Sequence, residues 1–276
     1  MNIFTAIILG IIQGLTEFVP ISSSGHLVLF HRIFGIDEPT LFFDTMLHVG
    51  TLVAVVTVLH KDIGNILRKL IQPLMLHLII ATVPLVIAAL IFRKQLELAF
   101  ASSQFLGFSF LLTSALLLTA ELLVRHAARN SENNAAAGQT TMTWNAITWR
   151  DALLICVMQA IAAIPGVSRS GATLSGALSR GLDRDFAARF VFLLSIPAIL
   201  GAAVLQLAEL AGGAAAGGIG LAPVIAGTAS AAITGFFAVR FMLKIIREKS
   251  LWGFAVYTGL LGILVVLDQL ALHLVF

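Results

Sequence analysis

Two short polar segments interrupt an otherwise apolar chain, and they hold residue types that bind anions and move protons. Residues 14–27 read GLTEFVPISSSGHL, and residues 165–173 read PGVSRSGAT. The first supplies a carboxylate, Glu17, and an imidazole, His26; the second supplies Arg169, whose planar guanidinium matches a phosphate or a carboxylate. Each segment also contains Ser-Gly where a helix would begin, and the free N–H groups of a helix start attract anions. The pattern therefore predicts an anion-binding site built from both segments.

Each of these residues also has a purely structural interpretation. Serines and glycines in apolar helices commonly serve close packing, and Arg169 could pair with Glu17 as a salt bridge without touching a ligand. A single histidine such as His26 is usually a satisfied polar group, although imidazole suits proton transfer near neutral pH. Clustering in two segments favours the functional interpretation. Asp44 and His48, four residues apart on one helix face, could bind or support a metal, or could hydrogen-bond to other helices.

The composition is that of a membrane protein. Hydrophobic residues make up 59% of the 276 residues and charged residues 11%, whereas soluble domains are about a quarter charged. Mean hydropathy is +1.00. The basic isoelectric point, near 9.4, is explained by Lys and Arg in cytoplasmic loops, so nucleic-acid binding is excluded. The single cysteine, Cys156, excludes an internal disulfide framework.

Six stretches are long and apolar enough to cross a membrane. They are roughly 41–60, 74–92, 104–124, 186–210, 219–243 and 251–275. Segments 1–35 and 150–182 differ, because each consists of a short apolar run, a Ser/Gly/Pro-rich break and a second short run. We interpret them as re-entrant helical hairpins. Pro84 and Pro197 are expected to kink full spans, and Asp268, in the last span, has no partner that the sequence identifies.

The two interrupted segments are related by an internal repeat. Shifting the sequence by 146 residues without a gap aligns identical residues, among them six pairs: Gln13 with Gln159, Ser22 with Ser168, Ser24 with Ser170, Gly25 with Gly171, Gly35 with Gly181, and Asp37 with Asp183. Six scattered identities could arise by chance. A shared S-x-S-G inside two segments that are already unusual in length favours a true repeat.

Basic residues predict the orientation. If each hairpin enters and leaves on one side, 13 of the 17 Lys and Arg residues fall on one face of the membrane, in the loops 61–72, 125–150, 180–189 and 240–249. The other face carries Arg32, Arg93 and Lys94, and Arg169 is left at depth. Positive charge accumulates in cytoplasmic loops, so the first face is predicted to be cytoplasmic. The first hairpin then enters from outside and the second from the cytoplasm, with their breaks meeting inside the bilayer.

The sequence thus predicts an all-α polytopic membrane protein with six full transmembrane helices and two re-entrant helical hairpins in an inverted internal repeat. Residues 1–124 are expected to form the first repeat, 125–149 a cytoplasmic loop, and 150–276 the second repeat. Non-helical backbone at membrane depth must be buried in protein or line a wet cavity. Both breaks are therefore expected to face a common polar cavity.

The motifs QGLTEFVPISSSGHL at 13–27 and PGVSRSGAT at 165–173 closely resemble the two signatures of the bacterial undecaprenyl-diphosphate phosphatase family, the integral-membrane type associated with bacitracin resistance. The resemblance implies hydrolysis of undecaprenyl diphosphate to undecaprenyl phosphate and inorganic phosphate, which recycles the lipid carrier of cell-wall synthesis. It implies a multi-pass protein of the bacterial inner membrane, with its site near the bilayer and open to the outer face. Its expected partners are undecaprenyl diphosphate and membrane lipid, and a homo-oligomer is compatible with it.

The resemblance also assigns roles. It implies catalytic roles for Glu17, Ser23, His26 and Arg169, a functional position for Thr173, and a site lined by Ser22, Ser168 and Ser170. The two helix starts add Ser24, Gly25 and Gly171 to the predicted substrate-binding residues, and Gln13 is included with them. Arg169 and the two helix starts would hold the diphosphate, and Glu17 would serve a proton or a divalent cation, Mg²⁺ or Ca²⁺. Ser23 would be the nucleophile with His26 as its base, direct attack by water being the alternative. Gln13 departs from members with a glutamate there, and an amide can orient water or phosphate but cannot act as a base.

Two alternatives compete with this interpretation. A different lipid-phosphatase superfamily also uses S-G-H, but its histidine after Ser-Arg is missing here, where Ser175 stands instead. Inverted repeats with broken helices are typical of secondary transporters, so the fold alone would favour a carrier or flippase of a lipid phosphate or another anion. The Glu/Ser/His set, which a carrier would not need, favours the phosphatase.

Overall fold

The computed structural model describes residues 1–36, 40–68, 73–92, 95, 103–133, 147–211 and 218–276. Regular secondary structure in these ranges is entirely helical. The helices are α1 (Ile3–Thr16), α2 (Ser23–Ile33), α3 (Leu41–Val58), α4 (His60–Arg68), α5 (Pro73–Ile91), α6 (Leu106–Asn133), α7 (Trp149–Ile161), α8 (Arg169–Ser179), α9 (Arg184–Ala211), α10 (Leu221–Glu248) and α11 (Trp252–Leu267), followed by a π-helix at Asp268–Leu272. The prediction of an all-α protein is confirmed.

Six of the helical stretches are long and apolar enough to cross a membrane, as predicted. They are Leu41–Val58, Leu74–Ile91, Leu106–Ala127, Arg184–Ala208, Leu221–Glu248 and Trp252–Leu272. Large apolar side chains project outward from them, among them Leu221, Phe237 and Leu264. Such surfaces are stable only against lipid, so the chain is a multi-pass membrane protein. Helices α5 and α9 run continuously through Pro84 and Pro197.

The two unusual segments are interrupted helices. In the first, α1 and α2 are separated by residues 17–22; in the second, α7 and α8 are separated by residues 162–168. Helices α1 and α7 begin 146 residues apart, and so do α2 and α8, which matches the offset between the sequence motifs. Pro20 and Pro165 lie in the breaks, where a missing N–H and a steric restriction on the preceding residue prevent a continuous helix.

The first helix of each interrupted segment packs against a helix from the other half of the chain. Helix α1 lies along α10, and α7 lies along α5. The approach of α1 to α10 requires glycine, because a Cβ on Gly10 would come within 2.2 Å of the carbonyl oxygen of Gly227. The largest buried apolar cluster surrounds α8 and α9 and includes Leu174, Phe190 and Leu194. Helix α8, which follows the second break, is therefore held in a tightly packed setting.

The structure differs from the sequence prediction in two of the loops that were predicted to be cytoplasmic. Helix α6 continues to Asn133, so the predicted loop 125–149 begins as helix, and residues 134–146 lie outside the described part. The predicted loop 61–72 contains helix α4. Arg189 of α9 pairs with Asp62 of α4 at 2.9 Å, which ties this short helix to a membrane span.

Asp268 has a role that the sequence could not reveal. Its carboxylate accepts hydrogen bonds from the backbone N–H groups of Leu274, Val275 and Phe276 at 2.9–3.1 Å. These partners are main-chain donors, so no pattern of side chains in the sequence marks them. Asp268 fixes the segment that follows the π-helix.

Candidate active site

The two breaks lie next to each other, as expected if both contribute residues to one anion-binding site. The hydroxyl of Ser170, at the start of α8, donates to the backbone carbonyl of Val19 in the first break at 3.1 Å. Arg169 reaches across the same boundary, and its Nη2 donates to Oε1 of Glu17. The contact joins residues 152 positions apart in the chain. Tertiary packing has thus brought the two polar segments into one site.

Glu17 is the centre of this site. Its carboxylate is buried, and Oε1 is engaged by Arg169. Oε2 accepts hydrogen bonds from Gln13 Nε2 and Ser23 Oγ, each at 2.7 Å. Nδ1 of His48, from α3, lies 3.0 Å from the same oxygen. A buried carboxylate needs partners of this kind, because burial of an unpaired charge is strongly unfavourable.

Each helix start is closed by a serine cap. Ser22 Oγ accepts from the backbone N–H of Gly25 at 3.1 Å, and Ser168 Oγ accepts from that of Gly171 at 3.0 Å. Both serines make the usual N-cap hydrogen bond, which satisfies one of the free donors of the first turn, although only Ser168 has the extended backbone that is common at this position. Ser168 also lies 3.2 Å from the hydroxyl of Ser170. The first residues of both helices, Ser23 and Arg169, contact Glu17, so the positive ends of both helices lie close to the meeting point of the breaks.

A cavity of about 660 Å³ opens from this meeting point. Its polar end is lined by Glu17, Ser23, Ser24, Thr45, His48, Ser168, Arg169 and Ser170. Its apolar wall comes from α5 and α9 and includes Leu85, Leu90, Ile199 and Leu205. Such a cavity has the charge and shape for an amphiphile with an anionic head and a hydrocarbon tail.

Six predicted site residues do not line the cavity. Gln13, Ser22, Gly25, His26, Gly171 and Thr173 lie behind its wall. Gln13 supports Glu17, whereas Ser22, Gly25 and Gly171 belong to the caps. Thr173 is buried and donates to the carbonyl of Arg169 at 2.7 Å. Within this geometry these residues shape the site and do not face the cavity.

Among the described residues, His26 forms its hydrogen bonds with groups other than Ser23. Its Nδ1 lies 2.7 Å from the carbonyl oxygen of Ser22, and its Nε2 lies 2.8 Å from the hydroxyl of Tyr257 on α11. Both ring nitrogens are therefore engaged elsewhere. The side chain that accepts the hydrogen bond of Ser23 is Glu17, so the geometry pairs the serine with the carboxylate and leaves the predicted pairing with His26 unsupported.

His48 hydrogen-bonds to another helix, which is one of the two predicted alternatives, whereas the hydrogen bond of Asp44 is to the cap residue of its own helix. His48 contacts Gln13 at 2.8 Å as well as Glu17. Asp44 instead accepts from Thr40 at 2.9 Å and lies 3.4 Å from His31. Across the described residues, no group of three or more His, Cys, Asp or Glu side chains is arranged to hold a metal. The i, i+4 spacing of Asp44 and His48 had marked His48 as a candidate polar contact, whereas no sequence pattern marked Tyr257, which bonds to His26.

Comparison with known proteins decides the family. Residues 6–264 match the family described as bacitracin resistance protein BacA. The chain belongs to this family. It is similar to the undecaprenyl-diphosphatase of Carboxydothermus hydrogenoformans, with 43% identity over 272 residues that cover 98% of this chain and 99% of the relative.

Further BacA relatives show similar coverage. Undecaprenyl-diphosphatase 4 of Bacillus thuringiensis subsp. konkukian is 42% identical over 269 residues, 98% of each chain. The undecaprenyl-diphosphatase of Methanosphaera stadtmanae is 36% identical over 294 residues, 99% of this chain and 100% of the relative. Since the matches span both polar segments and all six apolar spans, they concern the entire membrane fold.

Proposed function

We propose that this protein hydrolyses undecaprenyl diphosphate to undecaprenyl phosphate and inorganic phosphate in the bacterial plasma membrane. The BacA relatives carry the name of this activity. The observation that carries the proposal is the cavity, in which Glu17, Ser23 and Arg169 line the polar end while α5 and α9 supply a hydrocarbon wall. A lipid diphosphate matches both surfaces, and its hydrolysis would recycle the carrier of cell-wall synthesis.

The substrate would be held by charge at one end and by apolar contact at the other. Arg169 is one-quarter exposed to the cavity and presents further N–H donors beside the one bonded to Glu17. Together with the start of α8 it would bind the diphosphate, since guanidinium and helix N-termini both favour phosphate. The prenyl chain would lie along Leu85, Leu90 and Leu205 toward the lipid.

Ser23 would attack the terminal phosphorus, and Glu17 would accept the proton of its hydroxyl. The 2.7 Å hydrogen bond between Ser23 Oγ and Glu17 Oε2 already has the donor and acceptor that this transfer requires. Attack forms a bond from Ser23 Oγ to phosphorus and breaks the anhydride bond, with undecaprenyl phosphate as the leaving group. Water then hydrolyses the phosphoserine and releases inorganic phosphate. Arg169 would stabilise the charge that develops on the phosphate oxygens.

A divalent cation, Mg²⁺ or Ca²⁺, fits the residues around Glu17. Hard cations take oxygen ligands, and Mg²⁺ is commonly held by a carboxylate together with substrate phosphates. Glu17 offers the carboxylate, and Gln13 Oε1 is buried without a hydrogen-bond partner among the described residues. When bound, the cation would neutralise charge on the diphosphate.

The cation requirement is directly measurable. We expect EDTA to abolish phosphate release by the purified protein and excess Mg²⁺ or Ca²⁺ to restore it. Undiminished turnover in EDTA would contradict a cation at Glu17.

The activity itself is tested in detergent, where no gradient exists. Purified protein is expected to release inorganic phosphate from undecaprenyl diphosphate in micelles, as measured by a phosphate-specific dye. Absence of release in micelles, combined with movement of a labelled lipid phosphate across proteoliposomes, would favour the transporter.

We further infer that the interrupted segments are re-entrant hairpins in an inverted repeat. The common 146-residue offset of their helix bounds and the packing of α1 and α7 each on the opposite half support this arrangement. The excess of basic residues on one face favours entry of the first hairpin from outside and of the second from the cytoplasm.

Cysteine labelling tests this topology. In a Cys156→Ser background, which removes the native thiol, a cysteine at Arg129 is expected to react only from the cytoplasm. A cysteine at Ile36, beside the undescribed Asp37, is expected to react only from outside. Both are labelled after permeabilisation, which serves as the control. Reaction of both positions from the same side would exclude an inverted arrangement.

A further inference from the structure

Ser22, the residue before α2, has a backbone conformation that is unusual for a residue with a Cβ. Its φ is 72° and its ψ is 91°. L-residues other than glycine rarely adopt positive φ, so surrounding contacts must hold Ser22 there. The following residue is Ser23, whose hydroxyl must point at Glu17. The conformation of Ser22 therefore decides where the proposed nucleophile is aimed.

His26 is one of the groups that hold Ser22. Its Nδ1 lies 2.7 Å from the Ser22 carbonyl oxygen, and its backbone N–H donates to the same oxygen at 3.1 Å. A carbonyl can only accept, so Nδ1 carries the hydrogen of the side-chain contact. Neutral His26 then has Nε2 free to accept, and Tyr257 Oη, at 2.8 Å, donates to it.

Tyr257 fixes the imidazole from the far side. It is the only tyrosine of the chain, it stacks on the His26 ring with centroids 5.8 Å apart, and Phe110 meets that ring edge-on at 5.5 Å. His26 is 4% exposed, so without Tyr257 its Nε2 would lack a partner in a buried setting. Three elements, α2, α6 and α11, thus converge on one imidazole.

We propose that Tyr257 is a positioning residue of the active site and acts through His26 on the backbone of Ser22. His26 itself contributes as a hydrogen-bond donor to that backbone and does not act as the base for Ser23. The proposal rests on the proposed phosphatase function, because these contacts would orient the hydroxyl of Ser23, the proposed nucleophile. It follows from the chain of contacts Tyr257–His26–Ser22 and from the separation of His26 from the cavity.

Removal of the Tyr257 hydroxyl tests its hydrogen bond with His26. Tyr257→Phe keeps the ring and is expected to lower kcat about tenfold with KM within about twofold, since a misaimed nucleophile affects turnover more than binding. Thr258→Val is the matched control, because it removes a buried hydroxyl of the neighbouring residue whose partners are carbonyls of its own helix. It is expected to retain wild-type turnover. Unchanged kcat in Tyr257→Phe would overturn the proposal.

Conservative and disruptive variants of His26 separate positioning from proton transfer. Asparagine can place an N–H near the position of Nδ1 but cannot act as a base at neutral pH. His26→Asn is therefore expected to keep at least about a tenth of wild-type kcat, and His26→Ala far less. Equal inactivity of both variants, with both folded by thermal unfolding in detergent, would assign His26 to proton transfer and overturn the proposal.

Glycine at position 22 tests the backbone link. Gly adopts positive φ freely, and at an N-cap it costs only a few tenths of a kcal/mol relative to serine. In a Ser22→Gly background, Tyr257→Phe is expected to lower kcat by less than about threefold, because the left-handed φ no longer depends on the His26 contact. An undiminished tenfold effect in that background would contradict action through Ser22.

A spectroscopic readout distinguishes failure of this inference from failure of the proposed function. In protein labelled with ¹⁵N-histidine, the His26 signal, assigned by its loss in His26→Asn, is expected to show the neutral Nδ1–H form and to change in Tyr257→Phe. This result does not require turnover. If wild-type protein releases no phosphate yet the signal behaves as expected, the proposed function fails while the positioning contacts stand; a signal unaffected by Tyr257→Phe overturns the inference itself.

Discussion

Arg169→Lys is expected to lower the turnover of undecaprenyl diphosphate about 100-fold or more, although the charge is conserved, because loss of one preorganised donor to a developing phosphate charge typically costs 10²–10³ in rate. Arg169 must bond to Glu17 and still present N–H groups to the diphosphate. A guanidinium can do both at once, since its donors lie on two edges of one plane. A single ammonium on a flexible stem cannot bind in this bidentate way. The measurement is kcat/KM for phosphate release in detergent.

Arg180→Lys provides the matched control. Arg180 directly follows the last residue of the same helix, α8, and its half-exposed side chain pairs with the buried carboxylate of Asp151 at 2.6 Å. It is not among the residues that line the cavity. Lysine can replace such a single contact, so near wild-type turnover is expected. Equal turnover of Arg169→Lys and the control would contradict a clamp on the diphosphate by Arg169.

Ser23→Ala is expected to leave a folded protein that binds substrate and scarcely hydrolyses it. Removing the hydroxyl removes the covalent route altogether, so the fall in kcat should exceed tenfold, which corresponds to about 1.4 kcal/mol in the activation barrier. Binding is measured with a non-hydrolysable methylene bisphosphonate analogue of a prenyl diphosphate, whose Kd should change little. Thermal unfolding in detergent checks the fold.

The neighbouring serines are the controls for Ser23. Ser24 lines the same cavity, and Ser22 caps α2 through Gly25. Ser22→Ala should cost about 0.5–2 kcal/mol of stability, as the loss of an N-cap does. Both variants should affect binding or stability more than turnover. If Ser23→Ala kept more than about a tenth of wild-type kcat, the loss in activation barrier would be under 1.4 kcal/mol. Direct attack by water activated by Glu17 would then be the better mechanism.

Much of this architecture is determined locally and was therefore predictable from the sequence. A membrane span needs about 20 apolar residues in succession, so the positions of the six spans follow from hydropathy alone. Proline and clustered serines stop a helix through their own backbone chemistry, so the breaks at 17–22 and 162–168 were visible as well. The 146-residue offset between the two sequence motifs also separates the first residues of the corresponding helices.

The unfavourable free energy of placing a charged side chain in a membrane made the pairing of Arg169 with Glu17 predictable too. Arg169 was the one basic residue that no loop could account for, and at depth it required an acidic partner. Glu17 was the acidic residue of the other break, and the two are in contact. The caps formed by Ser22 and Ser168 were implied by their place before a helix start.

Only the tertiary structure decided which groups surround the reactive side chains. Proximity in the sequence paired His26 with Ser23, but the first turn of α2 directs the imidazole toward α6 and α11, so Ser23 meets Glu17 instead. His48 and Tyr257 enter from α3 and α11, far away in the chain. A pattern of residue types records the face of a helix on which a side chain lies, whereas its partner is fixed by the packing of helices from distant parts of the sequence, and that packing has no local signature.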